Sequence, residues 1–242
     1  MRQKKLGSAR TLQFYGHGIP YIKDTEIKGR LIVIEGPDAS GRSTQIGMIT
    51  AKLEAEGHAV LNTGIRRSEL ISEGILEAKS SFAGRKTLSL FYAADFADQL
   101  ENKIIPALRA GYIVLADRYI YTLLAREAVR GISRRWSHNL LSFALVPDLV
   151  FYLDVEPEEL VHRVFQKNAY LDYYESGSDM GLADDMFESF LKYQAMIAKE
   201  FRKMQARYNL VIVNGNRSIE EINADLQKRI DTYLQSVRTR AL

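Results

Sequence analysis

The stretch Arg30-Leu31-Ile32-Val33-Ile34-Glu35-Gly36-Pro37-Asp38-Ala39-Ser40-Gly41-Arg42-Ser43-Thr44 runs from an apolar segment into a loop bounded by two glycines. Gly36 and Gly41 bracket four residues, and Arg42, Ser43 and Thr44 follow. This is the spacing G-x-x-x-x-G-K-[ST]. In it, backbone N–H groups cradle phosphates, a lysine reaches the outer phosphates and a hydroxyl meets Mg²⁺. Here the lysine position is held by Arg42. A guanidinium keeps the charge but is planar and forked where an ammonium is compact, so the exchange is not conservative at a tight site. Leu31–Ile34 has the length and composition of a buried parallel strand. Ile46, Ile49 and Leu53 recur at helical spacing before Gly57, which predicts a helix over 43–56. A strand, a glycine loop and a helix N-terminus together make an anion site from backbone dipoles. The pattern implies a nucleoside di- or triphosphate held by Gly36, Ser40, Gly41, Arg42, Ser43 and Thr44.

The bulk properties narrow the class. The chain has 242 residues and 46% hydrophobic content, enough for one large α/β domain or two small ones. No apolar run approaches the ~18 residues of a membrane span, and the N-terminus lacks the apolar core of a signal peptide. With no cysteine, disulfide and thiolate chemistry are excluded, which fits a cytoplasmic protein. None of the four histidines (His17, His58, His138 and His162) pairs at zinc-binding spacing. Residues 1–30 carry seven Lys/Arg against two Asp/Glu, whereas the remainder carries 26 against 28. The basic balance therefore belongs to an N-terminal arm, residues 1–29. A solvated tail explains that charge better than nucleic-acid binding does. Phe14–Ile22 is too aromatic for a free tail and is expected to pack on the domain or on a second subunit.

Apolar runs alternate with helical patterns, the order of a parallel sheet with crossover helices. Strands are predicted at 31–35, 59–63, 112–116, 149–154 and 210–213. Helices are predicted near 43–56, 87–109, 120–143, 157–167, 184–207 and 218–236. Pro157 with two acids behind it starts one helix, and Ser218 with Glu221 forms a capping box for another. Residues 168–183 break the periodicity where a mobile lid would cover a nucleotide site.

A second chemical constellation follows the strand at 112–116, in Asp117-Arg118-Tyr119. Open α/β sheets place their active sites at carboxyl ends of strands. If this strand lies beside the first, Asp117 is placed to hold Mg²⁺ or its waters, or to accept a proton. Arg118 is placed to clamp a second phosphate. The plain alternative is an ion pair that caps a strand end.

These motifs, with Tyr92-Ala93-Ala94-Asp95, Pro147-Asp148-Leu149-Val150-Phe151-Tyr152-Leu153-Asp154-Val155 and Ser218-Ile219-Glu220-Glu221, are together similar to the thymidylate kinases. These belong to the P-loop nucleoside-monophosphate kinases. The resemblance covers about residues 30–236. It implies a P-loop NTPase fold, with a five-stranded parallel sheet flanked by helices on both faces and a short lid. The implied reaction passes the ATP γ-phosphoryl group to a nucleoside monophosphate, dTMP first, with Mg²⁺ on Ser43 and Asp117. A homodimer is also implied, with the helix at 87–109 as its candidate face.

Residue by residue, Asp38 matches the acid near the acceptor's sugar and phosphate. Arg118 matches the acceptor-phosphate clamp, and Tyr92 the aromatic that stacks on the base. Arg66 or Arg67 stands where a further phosphate-binding arginine is usual. Departures accompany these matches. Phe96 replaces a base-binding arginine, and Ala125-Arg126 replaces a Tyr-Gln pair. Arg126 is thus a candidate substitute for the missing arginine, and Arg126 and Glu127 together are candidates for reading the base. The lid holds three acids and no arginine, so cations on the transferring group are expected from Arg42, Arg163 or Lys167. Arg42, Asp117 and Arg118 are the expected catalytic residues. Two further readings stand beside dTMP phosphorylation: a kinase for another monophosphate, and a regulatory nucleotide-binding protein that has lost transfer.

Overall fold

The computed structural model describes residues 6, 9–22, 25–168 and 171–239, apart from the side chains of Lys167 and Asn168. Five parallel strands form the central sheet: β3 (Arg30–Glu35), β4 (Val60–Gly64), β5 (Ile113–Asp117), β6 (Leu149–Asp154) and β7 (Val211–Asn214). Their order is β4-β5-β3-β6-β7. Each lies within one residue of its predicted span. A small antiparallel pair, β1 (Arg10–Thr11) and β2 (Glu26–Ile27), precedes them.

Side chains alternate across a strand, so β3 feeds two cores. Leu31 and Val33 pack with α3 (Arg85–Gln99), α4 (Ile105–Arg109), α5 (Ile120–Val129) and α8 (Met186–Tyr208). Ile32 and Ile34 pack with α1 (Arg42–Ala55) and α9 (Ile219–Thr239). The strand is fully buried, which is why it reads as a continuous apolar run. In register, Ile34 lies between Asp117 of β5 and Phe151 of β6. The loop after β3 and the Asp117-Arg118 pair therefore leave the sheet side by side, where the strand order reverses.

Three stretches differ from expectation. The helix predicted at 87–109 is interrupted by a π-helical turn, Leu100–Ile104, just before Pro106. Proline lacks the N–H for an i−4 bond and its ring crowds the preceding turn, and a π-turn takes up that misfit. The helix predicted at 120–143 is two, α5 and α6 (Arg134–Leu140), separated at Gly131 with φ 78°. An unpredicted helix α2 (Ser72–Ser80) buries only Ile75 and Ala78, too few to show a period. The remaining helix, α7 (Pro157–Asn168), forms as expected from its proline start.

The described part of the N-terminal segment packs on the sheet domain. Leu12 and Ile19 are buried in the larger core. Tyr15 meets Tyr121 through their hydroxyls at 2.6 Å and stands edge-on to Tyr208. Asp148, which leads β6, ties this segment down. It accepts from Leu31 N at 2.8 Å, from Arg10 and from the Tyr233 hydroxyl of α9. Asp148→Ala leaves a buried N–H and a hydroxyl without their acceptor, so about 2–3 kcal/mol of stability is lost. A urea titration reads this as a lower midpoint at unchanged slope.

Candidate functional site

The phosphate loop is shaped by its glycines. A Cβ on Gly36 would lie 2.7 Å from Ser40 Oγ and 3.2 Å from the Leu153 carbonyl. Gly41 takes φ 91° as the N-cap of α1. No side chain caps that helix and no acid stands in its first turn, so the first N–H groups are open to an anion.

Arg42 occupies the loop differently from a lysine. Its Nη1 donates to the carbonyls of Gly36 and Pro37 and to Ser40 Oγ, and its Nε donates to Asp117 at 2.7 Å. The side chain is buried, and among the described residues the partner of Nη2 is the Asp38 carboxylate at 3.8 Å, too long for a hydrogen bond. Burial and the nearby Arg118 charge pull its pKa down, against Asp117 and Asp38, and a guanidinium remains charged throughout. One fork thus fastens the loop, while Nη2 is left for the cleft.

Asp117 collects the other end of this pair. Ser43 Oγ donates to it at 3.2 Å, and Arg67 approaches at 3.7 Å. Burial pushes its carboxyl up, but the charge and hydrogen bond of Arg42 outweigh that and hold it low. Ser43 and Asp117 offer hard oxygens at a helix N-terminus, which suits Mg²⁺ completed by phosphate oxygens and water. Among the described residues no cluster of three or more His, Cys, Asp or Glu forms a metal cage. A phosphate-shared Mg²⁺ needs none.

Asp38 lies at the loop's outer edge. It pairs with Arg118 and accepts from Arg126 Nη2 at 3.2 Å. Burial alone would raise its pKa, but Arg118, Arg126 and Arg42 hold the carboxyl far below its usual range. Arg118 takes φ 70°, a region disfavoured for a residue with a Cβ. Its strained backbone is fixed by Arg118 N to the Ile34 carbonyl at 3.0 Å and, one residue on, by Tyr119 N to Glu35 at 2.8 Å. Buried Glu35 also takes Thr122 N and its hydroxyl, so it ties the start of α5 to the end of β3. Burial raises its pKa despite these donors.

These groups open into one cleft. A cavity of about 160 Å³ is lined by Asp38, Arg42, Arg66, Arg67, Asp117 and Arg118. It meets a larger one of about 260 Å³ at Lys79, Tyr92, Arg126 and Glu175. Tyr92 therefore stands at the junction of a cationic end and a mostly apolar end. Arg66 takes φ 61°, and Asp95 accepts from Arg66 N at 2.7 Å and Ser68 N at 2.8 Å. The Ala-Ala-Asp motif thus shapes the loop that carries both arginines.

Two expected site residues lie elsewhere, and a third has no described side chain. Phe96 is buried, edge-on to Tyr119 at 4.9 Å and tilted on Phe143 at 5.6 Å. It is a core residue one turn along α3 from Tyr92 and lines neither cavity. Arg163 on α7 pairs with Glu159 at 2.7 Å and reaches the Gly215 carbonyl at 3.0 Å, so its donors are spent away from the loop. The side chain of Lys167 lies outside the described residues.

Arg130 was not singled out from the sequence. It grips Asp179 through two nitrogens at 2.8 and 2.9 Å, the Tyr174 carbonyl at 2.8 Å and the Tyr193 hydroxyl at 2.6 Å. On the opposite wall Lys79 pairs with Asp172 at 3.3 Å. The described segment 171–183 is thereby fastened across the cleft. Its Glu175 carboxyl has a raised pKa, from burial and then from Asp38 nearby. A raised carboxyl favours this packed arrangement at low pH, and that contribution fades as pH rises from the ordinary glutamate range through the raised value. Hydrogen exchange over 171–183 is therefore expected to become less protected with rising pH, after correction for intrinsic rates. Glu175→Gln flattens that dependence.

Comparison with known proteins adds the family. A sequence model described as thymidylate kinase matches residues 34–226. The chain is 34% identical over 212 residues to "Probable thymidylate kinase 2" of Saccharolobus solfataricus, covering 87% of this chain and 99% of that one. It is 30% identical to "Probable thymidylate kinase" of Pyrococcus abyssi, over 83% of this chain and 95% of that one. It is 29% identical to "Thymidylate kinase" of Shouchella clausii, over 87% of this chain and 99% of that one. With the phosphate loop, the Asp-Arg-Tyr turn and the cleft between them in one place, and a family match over residues 34–226, the chain belongs to the thymidylate kinase family.

Proposed function

We propose that the cleft carries out the family's reaction with the residues just described. The γ-phosphoryl group of ATP passes to dTMP, giving dTDP and ADP. The observation that carries the assignment of roles is the Asp38–Arg118–Arg126 cluster at the mouth of the phosphate loop, beside Tyr92.

Phosphoryl transfer needs positioning and charge neutralisation more than covalent help. ATP phosphates lie on the open N–H groups of Gly36–Thr44. The acceptor phosphate takes Arg118, with Arg66 and Arg67 on the facing loop. Asp38 keeps Arg118 and Arg126 extended towards the cleft and sits beside the acceptor sugar. Tyr92 offers its ring to the base. Arg42 serves both as a loop fastener and, through Nη2, as the cation on the transferring group. Ser43 and Asp117 would hold Mg²⁺, which neutralises charge on the β- and γ-oxygens when bound. Asp117 also accepts from Arg42 Nε at 2.7 Å, so one carboxylate would serve both the metal and the guanidinium.

We further propose a homodimer in the cytoplasm, the family's usual setting, formed through the α2–α3 face. Leu76 and Leu90 there are each 52% exposed.

The acceptor is tested with Mg·ATP and a panel of deoxy- and ribonucleoside monophosphates, following the diphosphate formed. The expected result is turnover fastest with dTMP. Turnover confined to another monophosphate overturns the choice of base, and no turnover with any overturns the kinase reading.

A further inference from the structure

The apolar end of the cleft contains a carboxylate that the roles above do not use. Glu127 lies on α5 at 6% exposure and lines the larger cavity. Leu123, Arg126, Glu127 and Arg130 recur at i, i+3, i+4 and i+7, so one face of α5 presents them all to the cleft. The Glu127 Oε2 is sealed from solvent and has no hydrogen-bond partner among the described residues. The other polar groups around it are committed. Arg130 is spent on Asp179 and two tyrosines, Arg85 on the Arg130 carbonyl at 2.7 Å, and Ser89 on the Arg85 carbonyl at 3.1 Å. The Glu175 carboxyl, by contrast, faces Asp38 and the arginines of the phosphate end.

A buried acceptor without a donor is destabilising, and such a group on a residue lining a cavity calls for a ligand that brings the donor. A carboxylate accepts and cannot donate. With the phosphate on Arg118 and the base against Tyr92, the base edge points into this end. We propose that Glu127 is a specificity-determining residue that accepts the imide N3–H of the thymine ring. The proposal rests on the acceptor placement above. Thymine and uracil both carry that N–H. Cytosine has a lone pair at N3, which would face the carboxylate and leave it unsatisfied. A site built to bond a substrate's N–H discriminates strongly against an analogue that lacks it. The carboxylate thus sorts imide bases from cytosine but does not tell thymine from uracil.

The test is kcat/KM for dTMP, dUMP and dCMP in the wild type, Glu127→Gln and Glu127→Leu. In the wild type dTMP far exceeds dCMP. In Glu127→Gln the amide carbonyl still accepts N3–H and the amide N–H meets cytosine N3. That variant therefore keeps dTMP within about tenfold while the dTMP/dCMP ratio narrows tenfold or more. In Glu127→Leu the acceptor is gone, dTMP and dUMP fall together by roughly 10–10² in kcat/KM, mainly through KM, and the dTMP/dUMP ratio is unchanged. An unchanged dTMP/dCMP ratio in Glu127→Gln overturns the proposal, also if the leucine variant fails to fold. A wild type that uses dTMP and dCMP equally overturns it too. A wild type inactive on dTMP refutes instead the acceptor reading on which it rests.

Discussion

Arg118→Ala lowers kcat/KM for dTMP roughly 10²–10³-fold, the usual cost of deleting one preorganised charge-assisted donor at a reacting phosphate or oxyanion. The side chain is buried and paired with Asp38, so it is already fixed before substrate arrives. Much of the loss should appear in KM for dTMP, because the guanidinium binds the acceptor before transfer as well as during it. ATP binding should change little. The fold should survive, since Asp38 retains Arg126 at 3.2 Å and Arg42 at 3.8 Å, so no buried carboxylate is orphaned. The φ of 70° is equally strained for alanine, so the substitution does not relieve the backbone. Steady-state kinetics at fixed saturating Mg·ATP, with a thermal melt as control, reads both parts. An unaltered KM for dTMP would remove Arg118 from the acceptor site.

Arg42→Ala has the larger effect on kcat. A transition-state arginine is worth about 10³–10⁵ in rate, and this one also fastens the loop. Its loss leaves the Gly36 and Pro37 carbonyls without their donor and Asp117 without its closest cation. Both binding of ATP and transfer should suffer, with transfer suffering more. Arg42→Lys separates the two duties. A lysine restores a point charge, but one ammonium cannot hold two carbonyls, Ser40 and Asp117 at once. Its kcat should therefore lie between wild type and alanine, with a looser loop seen as a lower melting temperature. Full activity in Arg42→Ala would show that the charge on the transferring group comes from elsewhere.

The difference between what the sequence discloses and what it hides follows physical lines. The five strands are legible because β3, β5 and β6 are buried on both faces and so read as unbroken apolar runs. Loop and acceptor cluster are legible because their chemistry is tied to short spacings: Gly36 to Gly41, and Asp117 beside Arg118. Helix α2 is hidden because a helix that buries two residues leaves no period. The break after α5 had a signal in Gly131, which a helix extended to 143 passes over.

Side-chain direction is the least legible property. Phe96 and Tyr92 are four residues apart on α3, yet Phe96 packs on Tyr119 in the core while Tyr92 lines the cleft. Arg163 was expected over the phosphates, but Glu159 one turn back and the Gly215 carbonyl hold it. The Arg130–Asp179 clasp joins residues 49 positions apart, which no local pattern announces. The inward turn of Arg42 is of the same kind. Residue type gives its charge, and only the folded loop shows that its donors reach the loop carbonyls first.

Movement of a phosphoryl group onto dTMP by this arginine-bearing loop is visible within one turnover. The most direct measurement mixes excess enzyme with [γ-³²P]ATP, Mg²⁺ and dTMP and follows the label through a single turnover. The account predicts label in dTDP, matched by unlabelled ADP, with little released as inorganic phosphate. Tight ATP binding with the label remaining in ATP, or passing only to inorganic phosphate, would contradict it.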